Sequence, residues 1–197
     1  MRIFVGLDIE EEIRVQISRF ITEIRHQAPD VRWVKPESLH VTLKFIGEKP
    51  DASVKEVEKS LASISATAFN ISFRGAGFFP TAKSARVCWI GIEADPGLVK
   101  LASAIEDSLF AIGIPKESRA FSPHMTLART GSGAFSRQRP AKQYQRFERL
   151  QQRLNNVPFP EFGTMTSHEF FLYRSQLSSQ GSRYTKIGRF ELPSAEN

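Results

Sequence analysis

Hydrophobic residues along the chain follow two periods, and the changes between them mark the elements. Residues 2–9 read as a strand, whereas 10–27 carry Ile13, Val15, Ile17, Phe20, Ile21 and Ile24 at roughly helical spacing behind an acidic first turn of Glu10, Glu11 and Glu12. Next come a short strand over 31–35, a turn at Pro36-Glu37-Ser38 and a third strand over 39–47. Asp51 is placed to cap a helix over 52–64, after which 68–79 is extended with interruptions at Gly75 and Gly77. The second half has a similar order: a strand over 85–93, a turn at Asp95-Pro96-Gly97, a helix over 98–112 and a strand over 121–129. A glycine-bearing, basic connection over 130–139 leads to an expected helix over 141–154. Strands over 165–173 and 184–190 close the pattern.

Two of these strands carry the same tetrapeptide, His40-Val41-Thr42-Leu43 and His124-Met125-Thr126-Leu127, and they use two of the four histidines. In a strand, residues i and i+2 share a face, so each histidine projects with its threonine while the apolar pair turns to the core. The repetition predicts an internal duplication with one motif strand in each of two α+β lobes. Facing one another, the motifs would offer two imidazoles and two hydroxyls to one small anionic group. Imidazole titrates near neutrality, so one copy can give a proton while the other takes one. A single such motif is more often a local hydrogen-bonded pair, but two copies in one chain point to chemistry. Of the other histidines, His26 is expected at the surface near a helix end, and His168 is expected to be structural.

Alternation assigns the neighbours of the motifs. Lys44 has the parity of His40, as a further phosphate contact or as a solvated strand-edge lysine; Phe45 is a candidate to stack on a base, but its parity with Val41 and Leu43 favours the core. Strict alternation from His124 also turns Arg129 toward the core, and only a bulge or the strand end would bring it round.

Charge favours a phosphate-bearing partner without establishing one. The 197 residues include 27 Lys and Arg against 21 Asp and Glu, for a net charge of +6 and a pI near 9.7. The basic positions Arg137, Arg139, Lys142, Arg146, Arg149 and Arg153 read first as a solvated helix face and its approach, with phosphate tracking as the sharper alternative and Tyr144 and Phe147 anchoring that helix. The single Cys88 excludes an intrachain disulfide, and no Cys/His cluster has zinc-ligand spacing. The N-terminal apolar stretch is too short for a signal-peptide core, and no run approaches the ~20 apolar residues of a membrane span, so the expected location is cytoplasmic.

The blocks Arg2-Ile3-Phe4-Val5-Gly6-Leu7-Asp8, residues 31–48 around the first motif, Phe121-Ser122-Pro123-His124-Met125-Thr126-Leu127-Ala128-Arg129 and Leu172-Tyr173-Arg174-Ser175 resemble the 2H phosphoesterase superfamily. Within it the chain most resembles the bacterial and archaeal RNA 2′,3′-cyclic phosphodiesterases, also described as 2′-5′ RNA ligases. The resemblance implies one bilobal α+β domain over 1–197, with two pseudo-symmetric antiparallel sheets, outer helices and a central cleft. It implies metal-independent hydrolysis, without a cofactor, of RNA ends bearing a 2′,3′-cyclic phosphate to 2′-phosphates. His40 would be the proton donor and His124 the proton acceptor, with Thr42, Thr126 and Arg129 on the phosphate. A monomer is expected. Alternatives are 2′-5′ RNA ligation, hydrolysis of a small cyclic nucleotide phosphate, and a non-catalytic RNA-binding module.

Overall fold

Both motif strands lie in antiparallel sheets whose outer faces are covered by helices. The structure, a computed structural model, describes residues 1–130, 145–156, 160–178 and 181–194. The elements are β1 (Arg2–Leu7), α1 (Glu11–Ile24), β2 (Arg32–Trp33), β3 (Val41–Glu48), α2 (Asp51–Ala62), β4 (Phe69–Phe79), β5 (Val87–Ala94), α3 (Pro96–Ala111), β6 (His124–Arg129), α4 (Glu148–Asn155), β7 (Glu161–Ser167), β8 (Glu169–Ser178) and β9 (Gly181–Glu191). One sheet has the order β3-β1-β8-β9 and the other β2-β6-β5-β4-β7. The first motif thus sits on the edge strand of one sheet and the second next to the edge of the other.

Helical periodicity places the apolar faces as expected. Ile13, Ile17, Ile21 and Ile24 bury one side of α1, Val54, Val57 and Leu61 that of α2, and Leu98, Leu101, Ala102, Ile105 and Leu109 that of α3. These rows join Ile3, Val5, Leu7, Val41, Leu43, Cys88, Ile90, Met125 and Leu127 in one continuous cluster, so the two sheets share a core. Burial pushes the Cys88 thiol up to about 12, which makes it inert packing. No helix among the described residues is long and apolar enough to cross a membrane.

Three expectations change. Asp51 is the first helical residue of α2 rather than its cap; Pro50 holds the cap position, and no side chain bonds the free N–H groups there. The strand expected over 165–173 is two strands in different sheets, because the chain turns at His168, whose carbonyl accepts from Leu192 N at 2.7 Å. A continuous apolar pattern across a sheet change cannot reveal the change. The basic helix expected over 141–154 begins, among described residues, with a 3₁₀ turn Gln145–Phe147 leading into α4; its first residues, with Lys142 and Tyr144, and the connection with Arg137 and Arg139 lie outside the described residues. Phe147 is fully buried, as its anchoring role requires.

The largest departure concerns the residues just after each motif. Along β1 and β3 the register runs Gly6↔Thr42, then Val5↔Lys44, skipping Leu43; along β5 and β6 it runs Trp89↔Thr126, then Cys88↔Ala128, skipping Leu127. Each motif leucine is therefore the extra residue of a bulge, which shifts the parity of the two positions that follow it. Lys44 turns inward, 2% exposed, and Phe45 turns outward, 51% exposed, the reverse of strict alternation. Neither expected role of Lys44 survives: its ammonium donates to Glu106 Oε2 on α3 at 2.6 Å and to the Pro115 carbonyl at 2.7 Å.

Removing one partner of such a pair strands the other charge in a low-dielectric setting. Lys44→Met should lower unfolding stability by about 3 kcal/mol, read by urea denaturation, whereas Lys44→Met with Glu106→Leu should recover most of the loss. A single variant as stable as the parent would show that the pair is not desolvated.

Candidate active site

The same hydrogen-bonding device presents both imidazoles. His40 lies just before β3, after the 3₁₀ turn Pro36–Ser38, and its Nδ1–H donates to the Ser38 carbonyl at 2.8 Å. His124 opens β6, and its Nδ1–H donates to the Ser122 carbonyl, also at 2.8 Å. A carbonyl only accepts, so each contact puts the proton on Nδ1 and leaves Nε2 for chemistry. In the first motif Nε2 lies 3.1 Å from Thr42 Oγ1, whose hydroxyl donates to it when the ring is neutral. In the second, Thr126 Oγ1 accepts instead from Arg129 Nη2 at 3.1 Å. The bulge at Leu127 turns Arg129 onto the His124 and Thr126 face. The structure thus brings His40 and Thr42 together, and likewise Thr126 and Arg129.

Aromatic side chains wall the histidines. Phe4, Phe171 and Tyr173 form a cluster of their own on the first sheet, joined by Tyr184. Phe4 lies 4.8 Å from the His40 ring and Tyr184 meets it edge-on at 4.9 Å. Phe79 meets the His124 ring edge-on at 4.9 Å and lies 5.0 Å from Trp89. Trp89 can lie flat on β4 because residue 77 is glycine: a Cβ there would come within 2.3 Å of the indole. Phe45 extends the first wall, 6.0 Å from Phe4. These residues were not assigned from sequence because an aromatic in an alternating strand reads as core. For Tyr173, the resemblance of its surrounding block was the available signal.

Burial and charge disfavour the protonated form of both imidazoles. Desolvation is the largest influence on His40 and lowers it to about 4, with Arg129 and His124 pushing in the same direction against the Ser38 bond and Asp8. His124 is also lowered, first by desolvation and then by Arg129. Each imidazole thus lies within reach of the Arg129 charge, and His40 within reach of that on His124. Beyond His40, burial raises Asp8, but bonds from Lys186 and the Ile9 N–H, with the nearby Arg14, outweigh it and hold the carboxyl below its ordinary value. Among the described residues, no three His, Cys, Asp or Glu side chains converge as a metal site. His26 is exposed beside Gln27, and His168 is exposed at the turn between sheets, where its backbone holds Leu192.

Two antiparallel sheets, each carrying one His-x-Thr pair, with the second histidine near enough to act on the first, define a phosphoesterase of the two-histidine class. The family model for LigT-like phosphoesterases matches twice in succession, over residues 7–89 and 90–184, and the chain belongs to that family. The RNA 2′,3′-cyclic phosphodiesterase of Archaeoglobus fulgidus is 30% identical over 191 residues, covering 97% of this chain and 100% of that protein. Its Aquifex aeolicus counterpart is 33% identical over 196 residues, 98% of this chain and 97% of the relative. Among solved structures, E. coli LigT complexed with 3′-AMP superposes with a TM-score of 0.74 at 28% identity, covering 97% of each chain.

A histidine held neutral in the fold makes stability depend on pH. With its folded value near 4 against 6.5 unfolded, His40 contributes no penalty above about pH 6.5. As pH falls from there toward 4, the unfolded chain takes up a proton that the native state refuses, so stability drops, by up to about 3 kcal/mol from this residue. Urea unfolding of the parent and of His40→Gln should diverge over that window. Parallel curves would mean that His40 titrates normally.

Proposed function

We propose that this chain hydrolyses RNA 2′,3′-cyclic phosphate ends to 2′-phosphates by metal-independent acid–base catalysis, with His40 as proton donor and His124 as proton acceptor. The observation that carries the proposal is the paired Nδ1–carbonyl device, which leaves both imidazole Nε2 atoms free of that bond, on rings close enough for the charge of His124 to act on His40. Water would attack phosphorus opposite the 3′ oxygen and pass its proton to His124 Nε2. The bond from phosphorus to the 3′ oxygen would break as His40 Nε2 protonates that oxygen, leaving phosphate on the 2′ position. Thr42, Thr126 and Arg129 would donate to the non-bridging oxygens, where charge accumulates. Phe45 offers a base a stacking surface that its exposure leaves open. We place the activity in the cytoplasm, carried out by a monomer in RNA processing.

In the free protein His40 is neutral and cannot yet act as a donor. An anionic phosphate supplies the remedy: it offsets the Arg129 charge that depresses both rings and stabilises an imidazolium beside it. The general acid would thus gain its proton with the substrate. The deeper desolvation of His40 favours the opposite assignment, with His40 as base and His124 as acid.

In excess chelator, the parent should convert a short RNA 2′,3′-cyclic phosphate to the 2′-phosphate, and His40→Ala or His124→Ala should lose ~10²–10⁴ in rate. A 3′-phosphate product, or turnover that collapses with chelator, would refute the proposal. Roles separate with a substrate whose 3′ leaving oxygen is replaced by sulfur, since a thiolate leaves without a proton. That substrate should restore turnover in His40→Ala and not in His124→Ala; the converse rescue would exchange the two roles.

A further inference from the structure

The cleft face of the second sheet carries two like charges side by side. β2 pairs with β6 in the register Arg32↔Arg129 and Trp33↔Ala128. Trp33 packs against the shared core and Ala128 is fully buried, so the two arginines project together from the opposite face, which is that of Thr126. Directly opposed residues on an antiparallel pair have Cβ atoms only ~4.5–5.5 Å apart, and like charges there repel. Arg129 reaches Thr126, which is uncharged, and among the described residues neither arginine has a carboxylate within ion-pair distance. Arg32 is exposed. An anion between or beside the two guanidinium groups would therefore meet two positive charges at once.

The position of β2 indicates which anion. It is the edge strand of its sheet and only two residues long, so among the described residues no further strand lies beyond Arg32. Passing outward from β6 to the edge, a ligand meets Thr126 and Arg129 first and Arg32 next. A polymer whose end is held at the histidines must leave the cleft along an open side, and this one is lined by a second guanidinium. We infer that Arg32 holds the phosphodiester on the 5′ side of the terminal nucleotide while Arg129 holds the cyclic phosphate, making the site selective for an RNA chain over a free cyclic mononucleotide. The inference rests on the cyclic phosphate hydrolysis proposed above. It would also give Arg32 and Arg129 separate tasks, one in recognition and one at the reacting phosphate.

Three substrates and one exposed substitution test it: a nucleoside 2′,3′-cyclic phosphate, the same compound with a 5′-phosphate, and a dinucleotide ending in the cyclic phosphate. The parent should show kcat/KM about tenfold or more higher on the dinucleotide than on the nucleoside compound. Arg32→Gln should erase that advantage, leave the nucleoside compound within about twofold, and reduce the salt dependence on the dinucleotide by about one counterion. An equal loss on all three substrates, a retained dinucleotide advantage, or an advantage confined to the 5′-phosphate compound would overturn the inference. Affinity for the dinucleotide, measured alongside, separates it from the proposed reaction. If the parent turns over none of the three yet Arg32→Gln weakens binding about tenfold, the reaction falls and the subsite stands. If binding is also unchanged, both fall.

Discussion

One additional residue in each motif strand decides which side chains meet the cleft. A pleated strand alternates strictly, and a strand that faces core on one side and cleft on the other can change that assignment only through a bulge. Here the bulged residue is the leucine of both tetrapeptides, Leu43 and Leu127, and both leucines stay in the core. The next two residues of each strand are exchanged between faces: Lys44 and Ala128 go inward, Phe45 and Arg129 outward. The two lobes thus use one backbone irregularity to place an aromatic on one wall and a guanidinium on the other, at matching positions relative to their histidines. Lys44 is tolerated inside only because Glu106 and the Pro115 carbonyl receive its ammonium.

The electrostatics of the cleft derive from that placement. Without the second bulge Arg129 would face the core, and neither imidazole would feel its charge as it now does. Desolvation and Arg129 together leave a site that is poor in protons and rich in fixed positive charge, a state suited to receiving an anion. The Nδ1 bonds to Ser38 and Ser122 add geometric control, since they orient the rings whether or not a ligand is bound. Side chains of the aromatic walls keep the rings partly dry, which strengthens every charge interaction among them.

Helices and motif strands were legible in the sequence because their signals are local: one apolar stripe at 3.6 residues, and one polar pair at spacing two. The motif histidines and threonines were legible because they recur. Phe45 and Lys44 were not, since a register shift depends on the partner strand and leaves no mark in the strand that carries it. Arg129 was caught between the two cases: alternation pointed inward, resemblance pointed to the phosphate, and only the pairing with β5 resolves the conflict. Phe79 and Trp89 escaped for a related reason. Their relation to His124 spans three strands, and a glycine at position 77 is what lets the indole lie across β4.

The two units that the family model recognises meet at residues 89 and 90, inside β5, yet the sheets do not divide there. β2 and β4, from the first unit, complete the second sheet, while β8 and β9 return from the far end of the chain to complete the first, with β8 lying directly against β1. Tyr173 and Tyr184, which wall His40, ride on those late strands. On the ribosome, then, the first motif must wait for more than a hundred further residues before its wall is complete, however early His40 itself emerges. The duplication repeats the chemistry but interlaces the scaffold, so the nascent chain has no half-enzyme stage: its cleft comes into being with its last strands.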